Sequence, residues 1–373
     1  MDKSFVIRTD RRTRAEKGFT LIELLVGSAV MLIAILAALE LYSRSNKVAV
    51  DQQQYAEIQH DVRTSMYLIS RDIRMAGVGL PQEFAMYSFE GIDNENLGAG
   101  VYAPDRLSMM GNIEDPLDLR IDSYHGASSE DPLELEDYSF EQFPYLDAYY
   151  ADKFVLVLPN PATACRAAEV RVVDHVTHTG GTTEELIFSS GLASGVNPPG
   201  GLSGTCADSN NYSGGLATFI DVLEYWLDLT GNATGPGLTA ANGYIGGGVG
   251  GVLYMTRNGI HSALAQNIEN LQFEYNGDLN ADGTMDGFVP WNNAWTVADV
   301  NNIRQIRIWV LGRTPNRVLN VSGRPTGGIH IYRRPAVSDT PADTVDDRCK
   351  RFLMNSTANV RNLSLNIYNL GVR

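Results

Sequence analysis

Residues 17–26 read Lys-Gly-Phe-Thr-Leu-Ile-Glu-Leu-Leu-Val, and they open an apolar run that continues to about Leu41. The run holds about 20 residues, or roughly 30 Å as an α-helix, which matches the hydrocarbon core of a bilayer. Residues 1–18 are rich in Lys and Arg, so the positive-inside rule predicts that this flank stays in the cytoplasm. An ordinary secretory signal has a shorter apolar region with a small-residue cleavage site behind it. The stretch therefore predicts a helix that spans a membrane.

The carboxylate of Glu23 lies inside this apolar run, four residues after Phe19. A charge at the centre of an inserted helix costs roughly 2.5–3.5 kcal/mol. Such a carboxylate is tolerated when an opposite charge is within reach. A plain signal anchor gives no reason for an acid at this position.

The six residues Gly18 to Glu23, GFTLIE, resemble the class III signal of type IV pilins and type II secretion pseudopilins. The resemblance implies that a prepilin peptidase cleaves after Gly18 and that Phe19 is then N-methylated. It also implies that Glu23 pairs with the N-terminal amine of a neighbouring subunit in a filament. The expected location is the inner membrane, with a cytoplasmic N-terminus and a periplasmic head, and later the surface pilus.

The apolar periodicity continues beyond the predicted membrane span. Apolar residues spaced three or four apart form one helical stripe, namely Tyr55, Ile58, Val62, Met66, Ile69 and Ile73. Proline is absent between Phe19 and Pro81, and Gly77, Gly79 and Pro81 form a stop signal. We expect one helix of roughly 90 Å over residues 19–76. It follows a cleaved leader at 1–18, with a membrane or filament-core part at 19–42 and an amphipathic continuation at 43–80.

The segment 81–152 holds 17 Asp or Glu residues against Arg106 and Arg120 only, with many aromatic residues between them. Disordered segments contain few aromatic residues, so we expect an ordered, loop-rich insertion with short strands. Its acidic surface is either a solvated face or a face that binds a partner. The chain of 373 residues carries a net charge of −15, which argues against binding nucleic acid through its phosphates.

Residues 153–373 have the pattern of a β-rich head. Short runs of β-branched and aromatic residues are bounded by turn residues, and the C-terminal half has a characteristic series: Val222–Leu227, Gly251–Arg257, Ile268–Tyr275, Ile303–Thr314, Arg351-Phe352 and Val360–Leu363. This order resembles the minor pilins of the PilW type. The resemblance implies an α+β, pilin-like fold in which a long N-terminal helix packs on an antiparallel sheet.

The loop at 278–287 has oxygen-bearing side chains at positions 1, 3, 5 and 9 and a glycine at position 6. This is the first part of an EF-hand-like calcium loop, with Asp278, Asn280, Asp282, Thr284 (through its carbonyl) and Asp286 as the ligands. Val289 replaces the bidentate Glu of position 12. The alternative is a turn rich in Gly and Asx residues. Calcium is the one cofactor the sequence suggests, and none is required.

Three cysteines occur, and a periplasmic head favours disulfides. Cys165 and Cys206 are nearest in sequence and flank loop-like segments, so we favour that pair, which leaves Cys349 over. Other pairings stay open, because sequence does not fix connectivity.

Catalytic motifs are not evident. His175 and His178 lack the spacing and the glutamate of a zincin, and acidic pairs follow from composition. We therefore predict a structural subunit, not an enzyme: a minor pilin that initiates or caps type IV pilus assembly. Its partners would be other minor pilins, the major pilin, the prepilin peptidase and the assembly machinery of the inner membrane. The alternatives are a minor pseudopilin of type II secretion and a tip adhesin or ligand-binding module.

Overall fold

One long helix and a set of antiparallel strands make up the part of the chain described by the structure, a computed structural model. That part comprises residues 19–78, 80, 89–93, 103–113, 118–124, 132–136, 150–163, 169–179, 183–189, 212–229, 251–280, 282–315, 334–342 and 349–360. The elements in chain order are α1 (Leu21–Met75), β1 (Phe89–Ile92), β2 (Arg106–Gly111), β3 (Asp118–Ser123), β4 (Leu133–Leu135), β5 (Phe154–Leu158), β6 (Glu169–Thr179), β7 (Thr183–Phe188), β8 (Leu216–Asp228), β9 (Gly251–Arg257), β10 (Ile260–Gly277), α2 (Val297–Asn301), β11 (Ile303–Arg313) and β12 (Arg351–Asn359).

Helix α1 ends where the sequence predicts. Gly77 has a positive φ of 76°, a conformation that glycine adopts without steric cost. Its N–H donates to the carbonyl of Met110 at 2.9 Å, so the helix end is fixed to β2. The chain divides near Gln53 into two units. The first part of α1 belongs to one unit, and the rest of α1 belongs to the unit that contains the strands.

The main sheet has the strand order β1-β2-β8-β9-β10-β11-β12, and every pairing in it is antiparallel. The apolar stripe of α1 is buried against one face of this sheet. Ile58, Val62, Ile69 and Ile73 are at most 1% exposed, and they belong to one core with alternate residues of β8, β10 and β11. The prediction of an α+β, pilin-like fold is confirmed.

Strand β8 takes part in two sheets. Its second half pairs with β2 and β9, whereas its first half pairs with β3 and β5. Strands β8, β3, β4, β7, β6 and β5 pair in that order, and β5 pairs with β8 again. These six strands therefore close into a small barrel. The barrel has its own apolar core, which includes Tyr124, Tyr150, Leu186 and Phe219. The sequence did not reveal this closed ring, because periodicity locates strands but not their partners.

The described part of the acidic segment 81–152 contains four strands: β1 and β2 of the main sheet, and β3 and β4 of the barrel. The segment is therefore ordered at the described positions. Not all of its acids are solvated: Asp105 is 4% exposed and accepts a hydrogen bond from the N–H of Phe273 at 2.8 Å. The boundaries assigned to the insertion and to the head from sequence stay predictions.

A buried carboxylate connects α1 to the main sheet. Asp72 is fully buried and accepts hydrogen bonds from the Tyr225 hydroxyl at 2.6 Å and from Nε of Arg71 at 2.7 Å. Burial, and then the charge of Asp72, raise the pKa of Tyr225, so the phenol stays protonated as the donor. Asp72 follows Ile69 by three residues and lies on the apolar stripe, which is the signal in the sequence that marks it.

We expect Tyr225→Phe to lower the free energy of unfolding by about 1.5–3 kcal/mol, because it removes a hydrogen bond to a buried charge. Urea unfolding followed by tryptophan fluorescence measures this. Tyr254→Phe is the matched control, since the Tyr254 ring stacks on Trp226 through its face. An equal loss of unfolding free energy in the two variants would show that the hydrogen bond from Tyr225 to Asp72 contributes no more stability than the hydroxyl of Tyr254 does.

Candidate assembly site

The start of α1 brings Thr20 and Glu23 into a capping arrangement. The N–H and the hydroxyl of Thr20 both donate to Oε2 of Glu23 at 2.9 Å, and the N–H of Glu23 lies 3.3 Å from the Thr20 hydroxyl oxygen. The Glu23 carboxylate and the Thr20 hydroxyl oxygen thus each accept an N–H group at the helix start, where such groups lack partners within the helix. Both bonds from Thr20 go to one carboxylate oxygen, and a carboxylate has further lone pairs to offer a cation.

Most side chains from Phe19 to Tyr42 are apolar and exposed. Phe19 is 88% exposed and Leu21 83%, and large apolar side chains remain exposed as far as Tyr42. Within the described residues, α1 is the one helix that is long and apolar enough to cross a membrane, by length and composition. Such a surface is unfavourable in water, and it suits a bilayer or the core of a helical filament.

The predicted processing site is only partly described. Phe19 directly precedes the capped start of the helix, whereas Gly18 lies outside the described residues. The assignment of Gly18 and Phe19 to processing, and of Glu23 to assembly, stays a prediction from the motif.

The loop at 278–287 closes on its own polar side chains. Asp278 accepts hydrogen bonds from the N–H groups of Asp282 and Gly283 at 2.9 Å each, and Asp286 accepts one from Leu279 at 2.7 Å. Gly283, at position 6, has a φ of 86°, the tight turn that this position requires.

Hydrogen bonds from Thr284 lower the pKa of Asp282. The hydroxyl of Thr284 has the larger effect and its N–H the smaller. The Asn280 amide donates to Asp286 at 2.9 Å, so all five proposed ligand residues take part in hydrogen bonds within the loop. Val289, at position 12, instead pairs with Tyr275 and closes the hairpin. Within the described residues, no group of three or more His, Cys, Asp or Glu side chains is arranged to hold a metal ion. Calcium binding here stays a prediction.

The cysteine prediction falls mostly outside the described residues. Cys165 and Cys206 both lie there, so their pairing stays a prediction. Cys349 is 1% exposed, just before β12.

Comparisons with known proteins agree with these features. The prokaryotic N-terminal methylation motif matches residues 13–39, and the family of the type IV pilus-assembly protein W, PilW, matches residues 252–362, which hold β9 to β12. The pilin-like protein PilA3 of Thermus thermophilus is 31% identical over 62 residues, which are 17% of this chain. The chain spans only 27% of the length of that relative. No solved structure matches significantly.

The methylation motif, the long apolar helix and the antiparallel sheet on its second half define the class as pilin-like. Within that class, the matches favour a minor pilin of the type IV pilus, and residues 252–362 are similar to the PilW family. The resemblance read from the sequence is confirmed. The matches to the pilin families suggest a structural subunit.

Proposed function

We propose that this minor pilin initiates or caps type IV pilus assembly. The observation that carries the proposal is the exposed apolar start of α1, which follows Phe19 directly and whose first turn holds Glu23 in a capping arrangement with Thr20. A prepilin peptidase cleaves after Gly18 and Phe19 is methylated. The helix then anchors the subunit in the inner membrane, with its head in the periplasm, until it enters a growing pilus with other minor pilins and the major pilin.

The large head supports a position at the end of the filament. The described strands of residues 89–360 form both a main sheet and a closed barrel, and such a bulk fits poorly along a close-packed shaft. Labelling a tagged head on isolated pili tests this, and uniform labelling along the shaft would contradict it.

Deletion of the gene should abolish or strongly reduce piliation, counted by electron microscopy and restored by the wild-type gene. Normal pili with lost attachment would favour the tip adhesin instead. Normal pili with lost protein secretion would favour a type II pseudopilin.

Mass spectrometry of the mature N-terminus should find methylated Phe19, and an N-terminus at any other residue would contradict the processing step.

We also propose that the loop at 278–287 binds calcium. Its support is the order of Asp278, Asn280, Asp282 and Asp286 around Gly283, whose positive φ produces the turn that such loops need. Hard cations bind oxygen ligands at about 2.3–2.6 Å. The hydrogen bonds inside the loop leave lone pairs on the carboxylate oxygens.

Calorimetric titration of the mature protein should show one calcium site that the double variant Asp278→Asn/Asp282→Asn weakens at least tenfold. Asp122→Asn, at an exposed acid on β3, is the control and should bind as the wild type does. Absence of heat at millimolar calcium would refute the site and leave the turn as the explanation.

A further inference from the structure

A groove beside the calcium-like loop contains two tryptophans that the assembly role does not use. It has a volume of about 700 Å³ and is lined by Trp291 and Trp295 together with carboxylates and amides. Ligand-binding clefts commonly have volumes of 300–1,000 Å³ and combine aromatic walls with a few polar groups. The groove lies wholly within the unit that contains the strands.

Contacts with each other, with Tyr275 and with Gly91 fix the positions of the two indoles. The rings of Trp291 and Trp295 meet edge to face with centroids 5.1 Å apart, and both contact the ring of Tyr275, at 5.2 and 5.8 Å. A Cβ at Gly91 would lie 2.7 Å from the Trp291 ring, so the glycine of β1 makes room for that indole. Both tryptophans remain partly exposed where they line the groove.

The polar part of the lining has a defined chemistry. Three asparagines and the carboxylates of Asp93 and Asp286 contribute, and the residues of the lining that the structure describes include no Lys, Arg or His. The Oδ1 atom of Asn292 accepts the N–H of Ala294 at 3.0 Å, which points to a fixed amide. The side chain of Asn293 is exposed. Asn280 and Asp286 also belong to the calcium-like loop, so an anionic ligand would meet only negative charge here as long as that loop holds no cation.

We propose that this groove binds a neutral saccharide. A sugar ring presents an apolar C–H face that packs on an indole, and it presents hydroxyls that both donate and accept hydrogen bonds. Amides also donate and accept, whereas carboxylates accept, so the lining matches hydroxyls on both counts. A quaternary ammonium ion also binds aromatic rings, but it has no acceptor for the amide N–H groups. This inference goes beyond assembly and does not depend on it.

The test uses the mature full-length protein in a polyoxyethylene ether detergent, which contains neither sugar nor choline. Cellotriose, maltotriose and chitotriose are titrated by calorimetry and by tryptophan fluorescence, with choline and a sulfated oligosaccharide as competing chemistries. We expect saturable binding of at least one neutral sugar. We expect Trp295→Ala to weaken it at least tenfold and Asn293→Ala at least threefold.

Asn293→Ala keeps the test valid if Trp295→Ala fails to fold, because the Asn293 side chain is exposed. Tyr67→Ala, at an exposed aromatic residue of α1, is the control and should leave binding unchanged. Absence of binding by all three sugars, equal binding by the Asn293 variant, or preference for choline or for the sulfated sugar would each overturn the proposal. None of these outcomes bears on piliation, so the two proposals fail separately.

Discussion

Glu23→Ala should leave cleavage after Gly18 intact but reduce incorporation of the subunit into pili more than tenfold. The reason is electrostatic: a carboxylate in an apolar environment is stabilised by a nearby positive charge, and the processed neighbour presents an amine at its N-terminus. The measurement is the amount of this protein in sheared pili relative to the membrane fraction, in a strain that lacks the wild-type copy.

The result for Glu23→Ala alone does not distinguish charge pairing from helix capping, because Glu23 also bonds to Thr20 at the helix start. Two further variants separate the roles. Glu23→Gln keeps a capping side chain, since Gln also serves in capping boxes, but it removes the charge. Thr20→Ala removes the cap, at a cost of about 1 kcal/mol, but it keeps the charge.

If charge pairing drives assembly, Glu23→Gln fails as Glu23→Ala does, and Thr20→Ala assembles nearly normally. If Glu23 serves to cap the helix, Thr20→Ala fails to assemble and Glu23→Gln assembles nearly normally. Normal incorporation of both Glu23 variants would mean that the carboxylate has no assembly role.

Gly312→Ala should lower the free energy of unfolding by about 1–3 kcal/mol, the usual range for overpacking a core, and Gly312→Val by more. Gly312 lies on β11 under the second half of α1. A Cβ there would overlap Cγ2 of Ile58 and lie 2.7 Å from Cγ2 of Val62. Without a side chain at this position, the helix approaches the sheet closely, so an added Cβ must displace Ile58 and Val62.

A double-mutant cycle makes this prediction specific. Ile58→Ala by itself should destabilise the protein, because it leaves a cavity in the core. In the Ile58→Ala background, Gly312→Ala should cost clearly less than in the wild type, since the nearer of the two overlapping methyl groups is then absent. Urea unfolding gives all four values. Additive costs would show that Gly312 and Ile58 do not compete for space.

The sequence predicted the helix, the pilin class and many strands for a physical reason. Helix formation is local, so a stripe spaced three or four apart and the absence of proline indicated α1, and Gly77 indicated its end. The run at 251–257 is a strand with those same bounds in the structure, and the run at 303–314 extends one residue beyond its strand. The motif around Glu23 is also contiguous, and its chemistry can be read without knowledge of the fold.

Other features required contacts between residues far apart in the chain. Asp72 and Tyr225 are 153 residues apart, and neither identifies the other. Tryptophans at 291 and 295 look like ordinary core residues until the strand that carries Gly91 is placed behind them. The barrel is equally hidden, because β8 changes partners halfway along its length and nothing in its own pattern marks the change.

The sequence by itself indicated a pilin-like chain whose helix start is long and apolar enough to cross a membrane, because short-range periodicity and a six-residue signal contain that information. Only the tertiary structure decided how α1 docks on Gly312, which six strands close into a barrel, and where two indoles and three amides form a groove. Those features depend on long-range pairing, where each partner is chosen by shape and by the satisfaction of buried polar groups rather than by its neighbours in the chain.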